Sequence, residues 1–399
     1  MSGHAAPTLP PQIELLSCAA RPSIDPDPVG ASRLRQLAGA ITDWDAVRMA
    51  ATRHCVAPLL SMHLEAHCSG DVPPAALSAL RRDFHDSAER GLQLAADLLE
   101  VLDAFRAAGL QIIPYKGPVL AAQAYGRLAL RQFLDLDIIL RQRDLPRAYS
   151  PLVALGYVPE LPFEIAASAR HLPGQYLFNR EASGTILELH TERTLRYFPE
   201  PLDLDALAAR LAPVSVAGHS VLTFAPADAL PILCVHGSKH FWERLGWIAD
   251  IAALASAAEV DWEQTFQLAR QLSAERMLRL GLYLAAELLK APLPEPVLRR
   301  VREDAGVAQL AAQVCERLIS ADFSPPGVAR RLWFRVHMRG NAWQGLAYSL
   351  RLATAPTEED WAQARLAGPL APFYSVLRPF RLLRKYGVGL SRPGPQPRV

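Results

Sequence analysis

The chain has 399 residues, half of them hydrophobic, with 42 Lys and Arg against 40 Asp and Glu for a formal net charge of +2. That length and apolar share allow two or three domains with a large core, and the near-neutral charge argues against a broad nucleic-acid-binding surface. Five cysteines, Cys18, Cys55, Cys68, Cys234 and Cys315, are odd in number and show no CxxC spacing, which argues against a disulfide framework and fits a reducing, cytoplasmic compartment.

Residues 1–30 are Pro-rich and are expected to lie loosely on the surface as a flexible segment. Their opening, MSGHAAPTLPPQ, has no basic start followed by an apolar run and so does not read as a signal peptide. Helical spacing covers Ala31 to about Leu64, with Thr42 or Asp43 as an N-cap inside it. Pro73 and Pro74 open a long helix from about Ala75 to Ala108. Gln111–Tyr115 then reads as a short buried strand, Lys116–Gly126 as a turn and helix, and Asp135–Leu140 as a second strand. A helix from Asp144 to Leu155 precedes a hairpin made of Gln175–Arg180 and Thr185–Glu192. From Asp228 on, helices are expected over Asp228–Glu243, Leu245–Ala257, Trp262–Gln271, Ala274–Leu289, Pro296–Val307 and Ala329–Leu352. No stretch reaches the ~18 apolar residues of a membrane span. The organisation is therefore a helical cap over 31–109, an α/β core over 110–225, a helical domain over 226–388 and a disordered tail over 389–399, an α+β fold with a small mixed sheet.

Chemistry concentrates in YKGPVLAAQAYGRLALRQFLDLDIIL. Alternate residues of a strand share a face, so Asp135 and Asp137 point the same way, with Cα atoms roughly 6.5–7 Å apart. Two carboxylates this close repel unless a proton or cation intervenes. Magnesium suits oxygen ligands and accepts substrate phosphates in its shell. Glu188, in the strand ILELH, offers a third carboxylate if the two strands are neighbours. Three carboxylates around paired metals is an arrangement for in-line phosphoryl transfer. Gly117 follows a strand and opens a helix, where backbone N–H groups can hold phosphate. Lys116 and Arg131 can neutralise its charge. An isolated DxD is also common at solvated strand ends, so the flanking residues matter.

This stretch resembles the uncharacterised nucleotidyltransferase family of bacteria, within the polymerase-β-like superfamily. The resemblance rests on Lys116-Gly117 after the first strand, Arg131 before the acidic pair, and Asp135 and Asp137. It continues in Glu188 two before His190, and in LCVHGSKHFWERLGWIADIAAL through His236, Lys239, His240, Trp242, Leu245, Trp247 and Asp250. The leading DWDAVRMAATRHCVAPLL is similar as well. Together these span roughly residues 40–260. The superfamily's usual Gly-Ser turn is replaced by Lys116-Gly117, the third acid is Glu rather than the commoner Asp, and Thr191 stands where an aromatic often follows. The resemblance implies a polymerase-β-like core, flanked by N-terminal helices and a C-terminal helical domain.

Other groupings are weaker. His236 and His240, four apart on a helix, could bind metal with Glu243 and Asp250. They read better as lining the cleft, with Lys239 or His240 on phosphate, or else as packing around Trp242 and Trp247. His54, Cys55, His63, His67 and Cys68 lack zinc spacing and read as partly buried core. Phe373–Val388 is basic and amphipathic. It reads first as a terminal helix with a solvated arginine face broken at Pro379, and second as a contact for anionic lipid or a partner.

The sequence thus points to transfer of a nucleoside monophosphate from a nucleoside triphosphate, such as ATP, to an unidentified acceptor, a small molecule or a protein. Asp135, Asp137 and Glu188 are the expected Mg2+ ligands, with Mn2+ as a substitute, and Glu188 is either a ligand of the second metal or the base that takes the acceptor's proton. Lys116, Gly117 and Arg131 are expected to hold the nucleotide, and His190, His236, Lys239 and His240 to line the cleft. The alternatives are transfer of a different phosphoryl group, a non-catalytic nucleotide-binding or regulatory protein that kept the fold, and a helical interaction scaffold.

Overall fold

The computed structural model describes residues 9–22, 28–160, 174–193, 201–257, 259–320, 327–354, 373 and 376–381. The tail expected at 389–399 lies outside these residues, as does most of 373–388. The N-terminal helices are α1 (Pro11–Ala19), α2 (Pro28–Gly39), α3 (Trp44–Arg53), α4 (Ala57–His67) and the long α5 (Pro74–Ala107). The expectation of a loose segment over 1–30 is corrected for α1, where Ile13, Leu15, Leu16 and Cys18 are buried. Its prolines sit at the helix start, where a missing N–H costs nothing. Asp43 caps α3 by accepting the Ala46 N–H at 2.9 Å, as the TDWD pattern predicts.

The sheet unit follows as β1 (Ile113–Pro114), α6 (Gly117–Tyr125), β2 (Asp135–Leu140), α7 (Leu145–Ala154), β3 (Val158–Pro159), β4 (Gln175–Arg180), β5 (Thr185–Thr191), α8 (Leu204–Ala208), β6 (Ala212–Val216) and β7 (His219–Thr223). Five strands pair in the order β1-β2-β5-β4-β3, while β6 and β7 form a separate hairpin. Only β2 and β5 run parallel within the five-stranded sheet, with Asp137 opposite Glu188 and Ile139 opposite His190. One face of the sheet presents Leu136, Ile138, Leu140, Tyr176, Phe178, Leu187 and Leu189 to Leu94, Leu98, Val101 and Phe105 of α5 and to Leu152 of α7. Strand alternation then forces Asp135, Asp137, Glu188 and His190 onto the opposite face. Leu136, Leu187 and Leu189 are wholly buried, so truncating one to alanine costs about 2–5 kcal/mol. A one-residue slip of either strand would bury the acids in apolar surroundings, which fixes the register.

The remaining helices are α9 (Pro226–Lys239), α10 (Leu245–Ala257), α11 (Trp262–Gln271), α12 (Glu275–Leu289), α13 (Glu295–Arg302), α14 (Ala305–Ile319), α15 (Val328–His337) and α16 (Ala342–Thr354). Two segments expected as single helices each divide in two. Asp304 caps α14 by accepting the Gly306 N–H at 3.0 Å, and Asn341 accepts the Gln344 N–H at 2.8 Å at the start of α16. Leu15, Leu34 and Leu60 from the N-terminal helices share one core with Leu245, Ile248 and Leu278 from the C-terminal ones, and Ile139 of β2 joins it. The helices before and after the sheet unit thus form one packed body. Helix α10 lies on α6, which sets the C-terminal helices over the acid-bearing face. No helix among the described residues is long and apolar enough to cross a membrane.

Candidate active site

Parallel pairing of β2 with β5 sets Asp137 beside Glu188. One ligand atom each from Asp137, Glu188 and His190 lies within 4.8 Å of the other two. Asp137 Oδ1 is the hub. It accepts from Lys116 Nζ at 2.5 Å and lies 3.0 Å from His190 Nε2. His190 Nε2 is also 3.4 Å from Glu188 Oε2, and Gln175 Nε2 donates to that oxygen at 2.9 Å. The Tyr115 ring meets the His190 ring edge-on at 5.5 Å and fixes the imidazole plane. Asp135 stands two residues back along β2, and its carboxylate makes no hydrogen bond or ion pair among the described residues.

The electrostatics divide the two aspartates. Burial opposes the charge of Asp137, yet the Lys116 ammonium and the His190 hydrogen bond outweigh it and hold its carboxyl below the usual carboxylate range. Burial likewise opposes the charges of Lys116 and His190, and their acidic neighbours, Asp137 foremost, raise both. Asp135 is pushed up to about 6, first by burial and then by Asp137. With three carboxylates and one ammonium, the cluster is short of positive charge, and Asp135 bears that shortage. Its donors are mostly hard oxygens, which suit magnesium, and the imidazole is one that manganese also accepts. The residues therefore fit a divalent cation.

Lys116 precedes helix α6, which begins at Gly117. Gly117 adopts φ +54°, and a Cβ there would stand 3.2 Å from the Asp135 carbonyl oxygen. A side chain would both strain the backbone and press on the strand that carries the acids. The helix start thus closes tightly over β2, with Lys116 at the carboxylates.

Arg131 makes a buried ion pair with Asp250. Its Nε and Nη2 donate to Asp250 Oδ1 and Oδ2 at 2.8 and 3.0 Å, and Tyr125 donates to the same carboxylate at 3.0 Å. These bonds join α6 and the entry of β2 to α10, while the buried Arg131 Nη1 makes no hydrogen bond among the described residues. His236 and His240 lie near each other with their rings tilted by 50° and centroids 4.8 Å apart, and both meet Trp247 at 5.3 Å. Burial first, and then neighbouring cations, Lys116 foremost for His236 and Lys239 foremost for His240, drives both imidazoles toward the neutral form, His240 to about 3. The end of α9 therefore faces the lysine of the cluster, while Lys239 is exposed. The expected core reading of the second histidine group places His54 at α10, where its Nδ1 accepts the Leu245 N–H at 3.4 Å and its carbonyl accepts the Gly246 N–H at 2.8 Å. His63 and Cys68 are buried.

Sequence reasoning missed Tyr115, Gln175 and Tyr125. Tyr115 adjoins the motif, but its contact with His190 exists only once β1 and β5 flank β2. Gln175 is opposite His190 across β4 and β5, a register that no local signal reveals.

Among the curated proteins none matches the sequence. A solved structure, that of an antigenic nucleotidyltransferase-like protein from Paracoccidioides brasiliensis, is similar at 15% identity and a TM-score of 0.35, over 52% of this chain and 97% of that one. Residues 41–290 match the family described as uncharacterised nucleotidyltransferase. Well over half of the sequence lies in that match, and the chain belongs to this uncharacterised nucleotidyltransferase family.

Proposed function

We propose that the protein transfers a nucleoside monophosphate from a nucleoside triphosphate, with Mg2+ or in its place Mn2+, to an acceptor hydroxyl. The observation that supports this best is Asp137, Glu188 and His190 converging within 4.8 Å, with Asp135 on the same strand and Lys116 bonded to Asp137. Asp135, Asp137 and Glu188 are the residues that would hold the cation, with His190 beside them. Bound there, it would neutralise triphosphate charge and template in-line displacement.

The chain's own groups have distinct tasks in this scheme. Lys116 places positive charge beside the acids and would bind phosphate oxygens. The N–H groups that open α6 at Gly117 add to that site. Glu188 is the more open acid, with 22% of its side chain exposed against 1% for Asp137. It is therefore the group placed to take the acceptor's proton. His190 and Gln175 orient Glu188. Arg131 holds α10 in position, and His236 and His240, kept neutral, line the cleft wall without adding charge. Positioning and electrostatic preorganisation supply the rate.

The test is incubation of the full-length protein with each labelled triphosphate, Mg2+ and a cell extract. Transfer of label with release of pyrophosphate supports the scheme. Release of inorganic phosphate instead indicates transfer of another phosphoryl group. Triphosphate binding without turnover under any condition overturns catalysis and leaves a nucleotide-binding protein.

A further inference from the structure

The corner between α9 and α10 is built at a conformational cost. Phe241 and Trp242 both adopt left-handed backbone angles, at φ +57° and +51°, a region that bulky side chains rarely enter. Packing imposes it. The Trp242 indole is wholly buried, and a Cβ at Gly237 of α9 or at Gly281 of α12 would stand only 2.6 or 2.9 Å from it. Its Nε1 donates to Ser238 Oγ at 3.3 Å. The two glycines form a slot for this ring, and the seated ring holds the turn that joins His240 to Arg244.

That turn gathers polar rings. His236, His240 and Trp247 meet pairwise, and their planes are inclined by 50°, 86° and 46°, so none covers another face to face. The Arg244 guanidinium stands over the Trp247 ring at 5.5 Å. All four side chains are half-buried. The two imidazoles and the Trp247 indole make no hydrogen bond among the described residues. Half-buried polar groups without partners need donors and acceptors from outside the chain. Helix α10 lies on α6, the helix that opens beside Lys116, and Lys116 is a charged neighbour of both imidazoles. The corner is therefore next to the lysine to which the triphosphate scheme gives the phosphates.

We propose that this corner is the nucleobase subsite, in which the base of the triphosphate stacks against Trp247 and the ring nitrogens of His236 and His240 bond its edge. The proposal rests on the triphosphate reading of the site given above. A base is flat and uncharged and carries donors and acceptors on its rim. A neutral imidazole offers one donor and one acceptor, which suits that rim and gives an anionic ligand no counter-charge. Stacking on an aromatic ring serves any base, because each has a π-face. An acceptor hydroxyl has to reach Glu188, whereas this corner adjoins the phosphate-binding lysine, as the base end of the same molecule must.

The test compares the nucleoside triphosphates with inorganic tripolyphosphate, which has the phosphates and no base. Titration calorimetry and tryptophan emission are read on the full-length protein with Mg2+ and no acceptor. At least one nucleoside triphosphate should bind about tenfold or more tightly than tripolyphosphate. It should also quench tryptophan emission, which tripolyphosphate should leave unchanged. Trp247→Phe should keep most of the affinity and remove the quench. Trp247→Leu, with a melting curve showing that it folds, should cut nucleotide affinity about tenfold or more and leave tripolyphosphate affinity unchanged, whereas Lys116→Ala should weaken both ligands. A quench that survives in Trp247→Phe overturns the subsite, as does equal weakening of both ligands by Trp247→Leu. Equal binding of both ligands to the wild type overturns the subsite and leaves the triphosphate site standing. Binding of neither overturns the triphosphate site and the subsite with it.

Discussion

Two buried charge clusters are built on different principles. Around Asp250, one guanidinium meets one carboxylate through two hydrogen bonds, and Tyr125 adds a third. That pair is balanced in charge, and its carboxylate is closed off by three bonds, while Arg131 Nη1 is buried with no hydrogen-bond partner among the described residues. Around Asp137, three carboxylates share one ammonium, and Asp135 has no bonded partner among the described residues. Folding alone gives no reason to gather like charges in this way, because desolvation and mutual repulsion both oppose it. A balanced pair serves as a bolt between elements. A cluster with excess negative charge has the chemistry to hold a cation, the role proposed for it above.

Substitutions should separate the two. The largest effect belongs to Asp137→Asn, which removes the shared acceptor of Lys116 and His190. Turnover in the triphosphate assay should fall by more than about 10⁴-fold, beyond the range of a lone acid–base group. The sequence alone suggests an intact fold for this variant. The buried Lys116 ammonium adds a stability cost, read as a lower melting temperature. Turnover like the wild type's would remove the site from consideration.

Glu188→Gln keeps the Gln175 contact region but cannot accept a proton. Turnover should drop about 10²–10⁴-fold with triphosphate affinity nearly unchanged, as titration calorimetry would show, and Glu188→Asp should recover part of it. An equal loss of affinity and turnover would make Glu188 a nucleotide ligand instead.

In the closed cluster, Arg131→Ala leaves Asp250 buried without its partner and should cost about 3–5 kcal/mol in denaturant unfolding. Joint replacement by Arg131→Met and Asp250→Leu should restore most of it, since apolar residues of similar volume often substitute for a buried pair. If the double variant folds normally yet cannot bind triphosphate, Arg131 also touches nucleotide.

Asp135→Asn should do the opposite to stability. The carboxyl titrates near 6 in the fold against an ordinary 3.8, so the protonated form is the one the fold favours. Stability from this group is complete below the ordinary value and is lost as pH rises through about 6. The neutral amide should therefore stabilise the protein by about 1–3 kcal/mol at pH 7, and that gain should fade toward pH 4, while turnover is lost. A lower melting temperature for the variant at pH 7 would contradict the excess-charge account.

The smallest effect concerns the brace on α10. Burial first, then Arg53 and Arg244, lower His54 from 6.5 to about 4. Between those values the unfolded chain binds the extra proton, so stability is lost as pH falls through that window. Thermal unfolding should show about 1–2 kcal/mol of this loss between pH 7 and 5, and His54→Gln should remove that component. An unaltered pH profile would show that His54 is protonated without cost.

By itself the sequence determined the two strands that carry the acids and which of their residues share a face. Period-two alternation in DLDIIL and TILELHT put leucines on one face and Asp135, Asp137, Glu188 and His190 on the other, because side chains in a strand alternate whatever surrounds them. The Lys116-Gly117 turn and the caps at Asp43 and Asp304 are local chemistry of the same kind, though the cap at Asp304 is legible only once a break there is considered. Pairing was decided by the tertiary structure. Whether β5 lies parallel beside β2 depends on contacts made 50 residues apart in the chain, and only that pairing brings Glu188 to Asp137 and Gln175 to Glu188. The fate of Arg131 was decided in the same way. A guanidinium four residues before an acidic pair suits phosphate as well as carboxylate, and the packing of α10 on α6 sets Asp250 against two of its three nitrogens.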